Sequence, residues 1–274
     1  PFCTIEPNVG VVDVPDARLA VLAEMFGSKR ILPAAMRFVD IAGLVAGASK
    51  GEGLGNKFLS HIRQVDAIAQ VIRCFDDPNI THVAGSVDPV RDIEIINTEL
   101  CLADLESVDK RLQRIAKLAK SGDKDARVEA PILEKVSAAL GDAIPVRAQG
   151  LTEDELDILK DLTLLTAKKS LYVANVGEDE VSDYSGNEFV KQVEAYAAKE
   201  GSGVVVVSAR IESEIAELSD EEATAFLADL GLEESGLTKL IKASYSLLGL
   251  INYFTAGEME ARAWTIVEGT KAPQ

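Results

Sequence analysis

The chain alternates between short apolar runs and amphipathic segments. Strand-like apolar runs occur at residues 36–41, 67–75, 170–174 and 204–207. The run at 67–75 (AIAQVIRCF) lacks a clean alternation, which is typical of buried strands in parallel sheets. Between the last two runs, residues 188–198 have helical amphipathicity, so strand, helix and strand predict a right-handed βαβ unit. We therefore predict an α/β fold built on a mostly parallel sheet.

Other parts of the chain have weaker helix and strand patterns. The remaining predicted elements are a strand at 10–14, helices at 16–26, 56–62, 153–165, 221–230 and 237–250, and a strand at 262–267. The last strand follows a turn at Ala256-Gly257, and the composition of this tail differs from that of the preceding chain. We expect a small separate domain to begin near Leu250.

The middle of the chain has a different periodicity. From Asp92 to Lys120, apolar residues recur at spacings of four and three, which predicts one long helix with an apolar seam. The seam comprises Cys101, Leu105, Val108, Leu112, Ile115 and Ala119. After a turn at 121–123, a second seam comprises Val128, Ile132, Val136 and Leu140. We predict an antiparallel hairpin arm whose seams bury each other rather than a coiled-coil partner, with Pro131 starting or kinking the returning helix.

Acidic residues outnumber basic ones. The chain has 28 Lys and Arg against 45 Asp and Glu, a formal net charge of −17. Such a field opposes the approach of nucleic acid or anionic lipid, so any RNA contact requires a local basic patch. The first hairpin helix and its turn offer a candidate, with a merely solvated helix face as the alternative. Its residues are Lys110, Arg111, Arg114, Lys117, Lys120 and Lys124, with Arg147, Lys168 and Lys169 as an extension.

Composition and cysteine spacing disfavour several classes of protein. The three cysteines, Cys3, Cys74 and Cys101, show no C-x-x-C spacing, so neither a zinc site nor a disulfide framework is indicated. The content of 47% apolar and 27% charged residues is that of an ordinary globular protein. No apolar run in the sequence approaches the ~18 residues of a membrane helix. We expect a protein of the reducing cytoplasm without membrane contact.

The strand near residue 38 carries the first candidate chemistry. It delivers Asp40 and, three residues later, Gly43, in the run FVDIAG. A carboxylate at the carboxyl end of a parallel strand can hold a hydrated Mg²⁺, and a glycine amide can approach a terminal phosphate without a Cβ in the way. A lone D-x-x-G also matches many aspartates that simply end a strand before a turn, so that alternative stays open.

A second motif follows two later strands. The strand at 170–174 leads into Asn175-Val176-Gly177-Glu178, and the strand at 204–207 leads into Ser208-Ala209. In P-loop nucleotide-binding proteins these two strand ends form the base pocket, with N-x-x-D and S-A in the GTP-specific members. The glutamate here moves the carboxylate, which weakens the paired hydrogen bonds to guanine and makes adenine a candidate base. A polar strand-to-loop cluster without a ligand is the alternative.

Together these motifs resemble the YchF family of Obg-related P-loop NTPases. The resemblance rests on residues 1–8 (PFCTIEPN) as switch I, 40–55 as switch II, the base motif, and 253–257 (YFTAG) leading into a β-grasp TGS domain. It implies a P-loop NTPase-type fold and a monomeric, Mg²⁺-dependent ATPase that binds the ribosome, through the large subunit or as a whole. It also implies site roles: Thr4 and Asp40 at Mg²⁺, Gly43 at the γ-phosphate, Asn175, Val176 and Glu178 at the base, and Ser208 and Ala209 beside it.

One expected motif is missing. The pattern G-x-x-x-x-G-K-[ST] does not occur in this sequence. Family members carry that phosphate loop just upstream of the position of Pro1, so we expect the chain to be clipped there and to stop within the TGS domain. As written, the polypeptide should bind nucleotide poorly, and the intact protein should bind it. The alternative is a nucleotide-independent ribosome- or RNA-binding scaffold with a non-functional pocket.

The attacking water needs an unusual partner. Leu44 follows Gly43 where Ras-like enzymes have a water-orienting glutamine, and leucine cannot hydrogen bond. The resemblance implies a loop histidine in this role, and His82 lies in the loop at 76–88. A solvated loop histidine is the alternative. We expect His61, on the helix after switch II, to be a packing or surface residue.

These patterns divide the chain into four expected segments. Residues 1–92 and 167–249 form the two parts of the nucleotide-binding domain with its following helices. Residues 93–166 form the helical hairpin insertion, and residues 250–274 begin the TGS domain.

Overall fold

The computed structural model describes residues 8–41, 54–77 and 85–271, with the side chains of 54–56 left out. The strands are β1 (Asn8–Asp13), β2 (Ile31–Leu32), β3 (Ala35–Asp40), β4 (Ala67–Arg73), β5 (Lys169–Asn175), β6 (Gly203–Val207), β7 (Leu250–Ala256) and β8 (Ala261–Val267). The helices are α1 (Ala17–Phe26), α2 (Leu54–Arg63), α3 (Pro89–Lys120), α4 (Lys124–Gly141), α5 (Glu153–Leu159), α6 (Glu188–Glu200), α7 (Ala209–Ile215), α8 (Asp220–Asp229) and α9 (Gly236–Leu247).

A three-stranded parallel sheet in the order β4-β5-β6 carries the base motif. The central strand β5 is buried from Ser170 to Ala174 because helices cover both faces. On one face, Tyr172 packs with Val193 of α6. On the other, Val173 packs with Leu240 of α9. The α/β fold class and the predicted β5-α6-β6 unit are thus confirmed.

Two smaller sheets flank this core in the described residues. β1 and β3 pair antiparallel, with Asn8 opposite Asp40. β8 pairs antiparallel with β7 and parallel with β2, and Ala261 and Ala263 of β8 pack against α1 and α9. The helix predicted to run to Leu250 ends earlier, at Leu247, because Gly249 adopts a left-handed φ of 66° that redirects the chain into β7.

The hairpin arm is confirmed, with one correction to its second seam. Residues of α3 and α4 form a single apolar cluster, and the first predicted seam lies within it. In α4 the buried face comprises Ala126, Ala130, Leu133, Val136 and Leu140. Val128 was predicted to lie in the seam but is 59% exposed. The helix begins at Lys124, capped by Asp123, so Pro131 lies inside it rather than at its start.

A buried carboxylate fastens the arm to the sheet. Asp104 of α3 accepts hydrogen bonds from the backbone N–H of Leu165 (2.8 Å) and from the backbone N–H and hydroxyl of Thr166 (both 2.7 Å). Burial raises the pKa of Asp104 above its ordinary value, although the three donors act in the opposite direction. These bonds hold the segment just before β5 against the long helix.

A buried ion pair makes a second attachment. Arg147 and Glu200 are 9% and 6% exposed, and their charged atoms lie 2.9 Å apart. Arg147 also donates to Asn97 Oδ1 of α3 at 3.1 Å, and the Tyr172 hydroxyl donates to Glu200 at 3.0 Å. The prediction that Arg147 extends a basic surface patch is therefore wrong, because its guanidinium is buried and paired with Glu200.

None of the helices in the described ranges is both long and apolar enough to span a membrane.

Candidate nucleotide-binding site

The two halves of the base motif meet at the carboxyl ends of β5 and β6. Asn175 is the last residue of β5, and its Oδ1 accepts a hydrogen bond from the backbone N–H of Ala209 at 2.9 Å. Val176 N–H donates to the carbonyl of Val207 at 2.9 Å. Adjacent parallel strands end side by side, and ligands of open α/β sheets bind at such edges. The structure thus joins residues 34 positions apart in the sequence.

The backbone of this motif is also held by the neighbouring strand. The carbonyl of Asn175 accepts a hydrogen bond from the N–H of Cys74, which follows β4, at 2.8 Å. Val176 is 2% exposed and belongs to the core cluster. Of the predicted base-binding residues, Val176 can therefore offer only its backbone to a ligand.

Ser208 adds a buried hydroxyl beside Asn175. Ser208 is fully buried, and its Oγ has no hydrogen-bond partner within the described part of the chain. A buried hydroxyl without a partner costs about 1–3 kcal/mol, so this group requires a partner outside the described residues, such as a buried water. The backbone carbonyl of Ser208 accepts a hydrogen bond from the N–H of Glu212 at 3.0 Å, and this bond lies at the beginning of α7.

Glu178, the fourth residue of the motif, is already in an ion pair. Its Oε1 lies 2.8 Å from Nη1 of Arg210, the residue after Ala209. Arg210 Nε also lies 3.8 Å from Oε1 of Glu214, one helical turn further along α7. Arg210 belongs to none of the sequence motifs, and its only signal in the sequence was its position next to Ser208-Ala209.

The loop after Glu178 is closed by an asparagine that also lies outside the sequence motifs. Asn187 donates from Nδ2 to the carbonyl of Cys74 and to Glu180 Oε2, both at 2.9 Å. Its Oδ1 accepts from Val190 N–H at 3.0 Å and caps α6. The loop that carries Glu178 is therefore tied to the end of β4. The signal in the sequence for Asn187 was its position just before an amphipathic helix.

The described cysteines are not nucleophiles. Burial raises the pKa of Cys74 to about 12, and the nearby charge of Glu180 acts in the same direction. Burial also raises the pKa of Cys101 to about 12. Because the thiolate is the reactive form, both side chains stay inert at neutral pH.

The magnesium side of the predicted site is described only at Asp40. This exposed residue ends β3, which lies in the antiparallel ribbon and not in the sheet of Asn175. Thr4, Gly43 and His82 lie outside the described residues. A carboxylate is a ligand that Mg²⁺ prefers, so Asp40 fits the ion chemically. Within the described ranges no group of three or more His, Cys, Asp or Glu side chains could hold a metal.

Some charges of the predicted basic patch are paired. Arg111 binds Glu129 of α4 at 2.5 and 3.0 Å, and Lys110 pairs with Glu106. Lys169 donates to the carbonyl of Leu247 at 2.7 Å.

His61, which we expected to be a packing or surface residue, is partly buried on α2.

Comparison with known proteins identifies the class. A family model described as "50S ribosome-binding GTPase" matches residues 1–118. The solved structure of the Schizosaccharomyces pombe YchF GTPase superposes with a TM-score of 0.86 at 41% identity, covering 100% of this chain and 74% of that one. The α/β fold and the family match together define a P-loop GTPase-class protein.

Relatives of known name narrow this further. The "Ribosome-binding ATPase YchF" of Bacillus subtilis is 61% identical over 274 residues, which is 100% of this chain and 75% of the relative. The protein of the same name from Haemophilus influenzae is 56% identical over the same span. The chain belongs to the YchF family of ribosome-binding ATPases.

Proposed function

We propose that the full-length protein hydrolyses ATP with Mg²⁺ and associates with the ribosome in a nucleotide-dependent way. The observation that carries the nucleotide part is the hydrogen bond from Ala209 N–H to Asn175 Oδ1. It fixes the amide of Asn175 at the edge where two parallel strands end, close in sequence to Ser208, whose buried hydroxyl has no partner among the described residues. The names of the relatives support both hydrolysis and ribosome binding.

The preference for ATP rests on Glu178. An aspartate at the fourth motif position suits guanine, whose N1–H and amino group donate to its two carboxylate oxygens. Glutamate is longer by one methylene, which displaces both oxygens from that pairing. A site built for paired hydrogen bonds loses much of its affinity when the pairing is imperfect.

Of the residues proposed to bind Mg²⁺ and the γ-phosphate, Asp40 lies within the described part of the chain. Thr4 and Asp40 would hold the ion, and the Gly43 amide would approach the γ-phosphate. Bound Mg²⁺ neutralises charge that develops on the phosphate oxygens. Loss of the γ-phosphate would release the segments around Thr4 and 40–55, which is how the protein would switch.

Ribosome contact is assigned to the arm. Of the predicted patch on the arm, Arg114, Lys117, Lys120 and Lys124 remain as candidates for a local RNA contact. They stand out against the net charge of −17, so contact should be confined to this region. We expect the protein to act as a monomer in the cytoplasm, since its proposed partner is the ribosome.

Titration of the full-length protein with ATP and with GTP in the presence of Mg²⁺ tests this function. We expect tighter binding of ATP, because the Glu178 carboxylate is displaced from the guanine-pairing position. Tighter binding of GTP would remove the adenine assignment. Ribosome pull-down with and without ATP is the second arm, and binding that ignores nucleotide would favour the scaffold alternative.

Replacing His82 by alanine tests the catalytic part. If His82 places the attacking water, turnover of ATP should fall about tenfold to a hundredfold while ATP affinity is unchanged. His61→Ala is the control, because this partly buried residue of α2 has no proposed role in hydrolysis. Equal turnover in the wild type and the His82 variant would reject the role.

A further inference from the structure

We propose that Arg210 is a specificity-determining residue that selects adenine over guanine by pairing with Glu178. The inference rests on the proposed nucleotide function and identifies how its base preference arises. Its basis is the contact between Arg210 Nη1 and Glu178 Oε1 at 2.8 Å, which joins the two halves of the base motif through their side chains.

Arg210 is held at this place by the start of α7. The preceding residue, Ala209, is bonded through its N–H to Asn175. One turn later, Glu212 accepts hydrogen bonds from the N–H groups of Gly236 (2.7 Å) and Leu237 (3.0 Å), which binds α7 to the beginning of α9. The helix that presents Arg210 is therefore fixed on two sides.

The pairing changes what Glu178 can recognise. An ionised carboxylate only accepts hydrogen bonds, and a guanidinium only donates them. Guanine presents two neighbouring donors, N1–H and the 2-amino group, and needs two free acceptors. Adenine presents a donor, the 6-amino group, beside an acceptor, N1. With Arg210 Nη1 2.8 Å from Oε1, the carboxylate is partly engaged, and the guanidinium places donors beside the remaining acceptors. This mixture of donors and acceptors complements adenine and opposes guanine.

The same contact contributes little to folding. Arg210 and Glu178 are 71% and 42% exposed, and exposed pairs of this kind add little stability. Removal of the Arg210 side chain should therefore leave the protein folded. Its effect is expected in the ratio of two ligand affinities, and a change of about tenfold corresponds to one hydrogen bond to a charged group.

The test is calorimetric titration of the full-length protein with ATP and with GTP, in the wild type, Arg210→Ala and Lys135→Ala. Lys135 is the matched control: it is a half-exposed cation in an ion pair with Glu155, and its loss changes the net charge equally. A fourth protein, Glu178→Gln with Arg210→Ala, is compared with Glu178→Gln alone. We expect the preference for ATP over GTP to fall about tenfold in Arg210→Ala and to stay unchanged in Lys135→Ala.

The outcomes separate the two proposals. If the wild type prefers ATP and Arg210→Ala keeps that preference, or weakens both nucleotides equally, the role of Arg210 is overturned. If Arg210→Ala still changes the ratio in the Glu178→Gln background, the effect does not pass through the carboxylate and the inference also fails. A wild type that binds neither nucleotide, or prefers GTP, contradicts the proposed function itself.

Discussion

Replacing Arg147 by alanine is expected to lower the free energy of unfolding by about 3–5 kcal/mol. The substitution leaves Glu200 charged and 6% exposed, without the cation that lies 2.9 Å away in the wild type. It also removes the donor that Arg147 supplies to Asn97 of α3. Breaking a buried pair by removing one partner is costly because the remaining charge has lost its solvation and its counter-ion. Glu200 would keep only neutral donors, such as the Tyr172 hydroxyl.

Urea denaturation measures this loss, and two variants control it. Lys110→Ala breaks the exposed pair with Glu106 and should change the free energy of unfolding by no more than about 0.5 kcal/mol. Arg147→Met combined with Glu200→Gln removes both charges, and the glutamine keeps an acceptor for the Tyr172 hydroxyl. This double variant should be more stable than Arg147→Ala. If Arg147→Ala were no less stable than Lys110→Ala, Arg147 would not be acting as a buried ion.

Replacing Asp104 by alanine is expected to lower the free energy of unfolding by about 3–4 kcal/mol. It would leave three buried donors without their acceptor: the N–H groups of Leu165 and Thr166 and the Thr166 hydroxyl. Asp109→Ala, on the same helix, removes a single hydrogen bond from Ser137 and should cost only about 1 kcal/mol. Equal losses in the two variants would contradict the anchoring role of Asp104.

The pH dependence of the same residue provides an independent measurement. Because the pKa of Asp104 is raised in the folded protein, the folded state binds this proton more tightly than the unfolded state. The contribution of Asp104 to stability is therefore greatest below its ordinary pKa and is lost as the pH rises through the folded value. Wild type should gain stability relative to Asp104→Asn as the pH falls from 7 toward about 4. If wild type instead lost stability relative to Asp104→Asn as the pH fell, the pKa of Asp104 would not be raised in the folded protein.

Sequence periodicity was sufficient where an element buries one continuous face. The first arm helix and its seam were predicted because Cys101, Val108 and Ile115 repeat at helical spacing, and all three are buried. Sequence periodicity did not identify the buried face where small residues form the contact between two helices. In α4, Ala126 and Ala130 face α3 while the larger Val128 points to solvent. Side-chain size alone does not identify the buried face when two helices pack closely.

Strand ends were likewise predictable, but the partners of charged residues were not. The spacing of Asn175 and Ser208-Ala209 predicted the contact that the structure shows between β5 and β6. The pairing of Glu178 with Arg210, and that of Arg147 with Glu200, involve residues distant in sequence that share no local pattern. A charged residue reads the same in sequence whether it meets solvent or a buried counter-ion.

The sequence by itself determined most helices and strands, the arm and the family, because hydrophobic periodicity and motif spacing are local properties of the chain. It did not predict the short helix α7. Tertiary structure alone decided which charges are buried: Arg147 lies inside and Arg210 lies at the base motif. The physical reason is that an ion's environment depends on which other elements pack against it, and those elements come from distant parts of the chain.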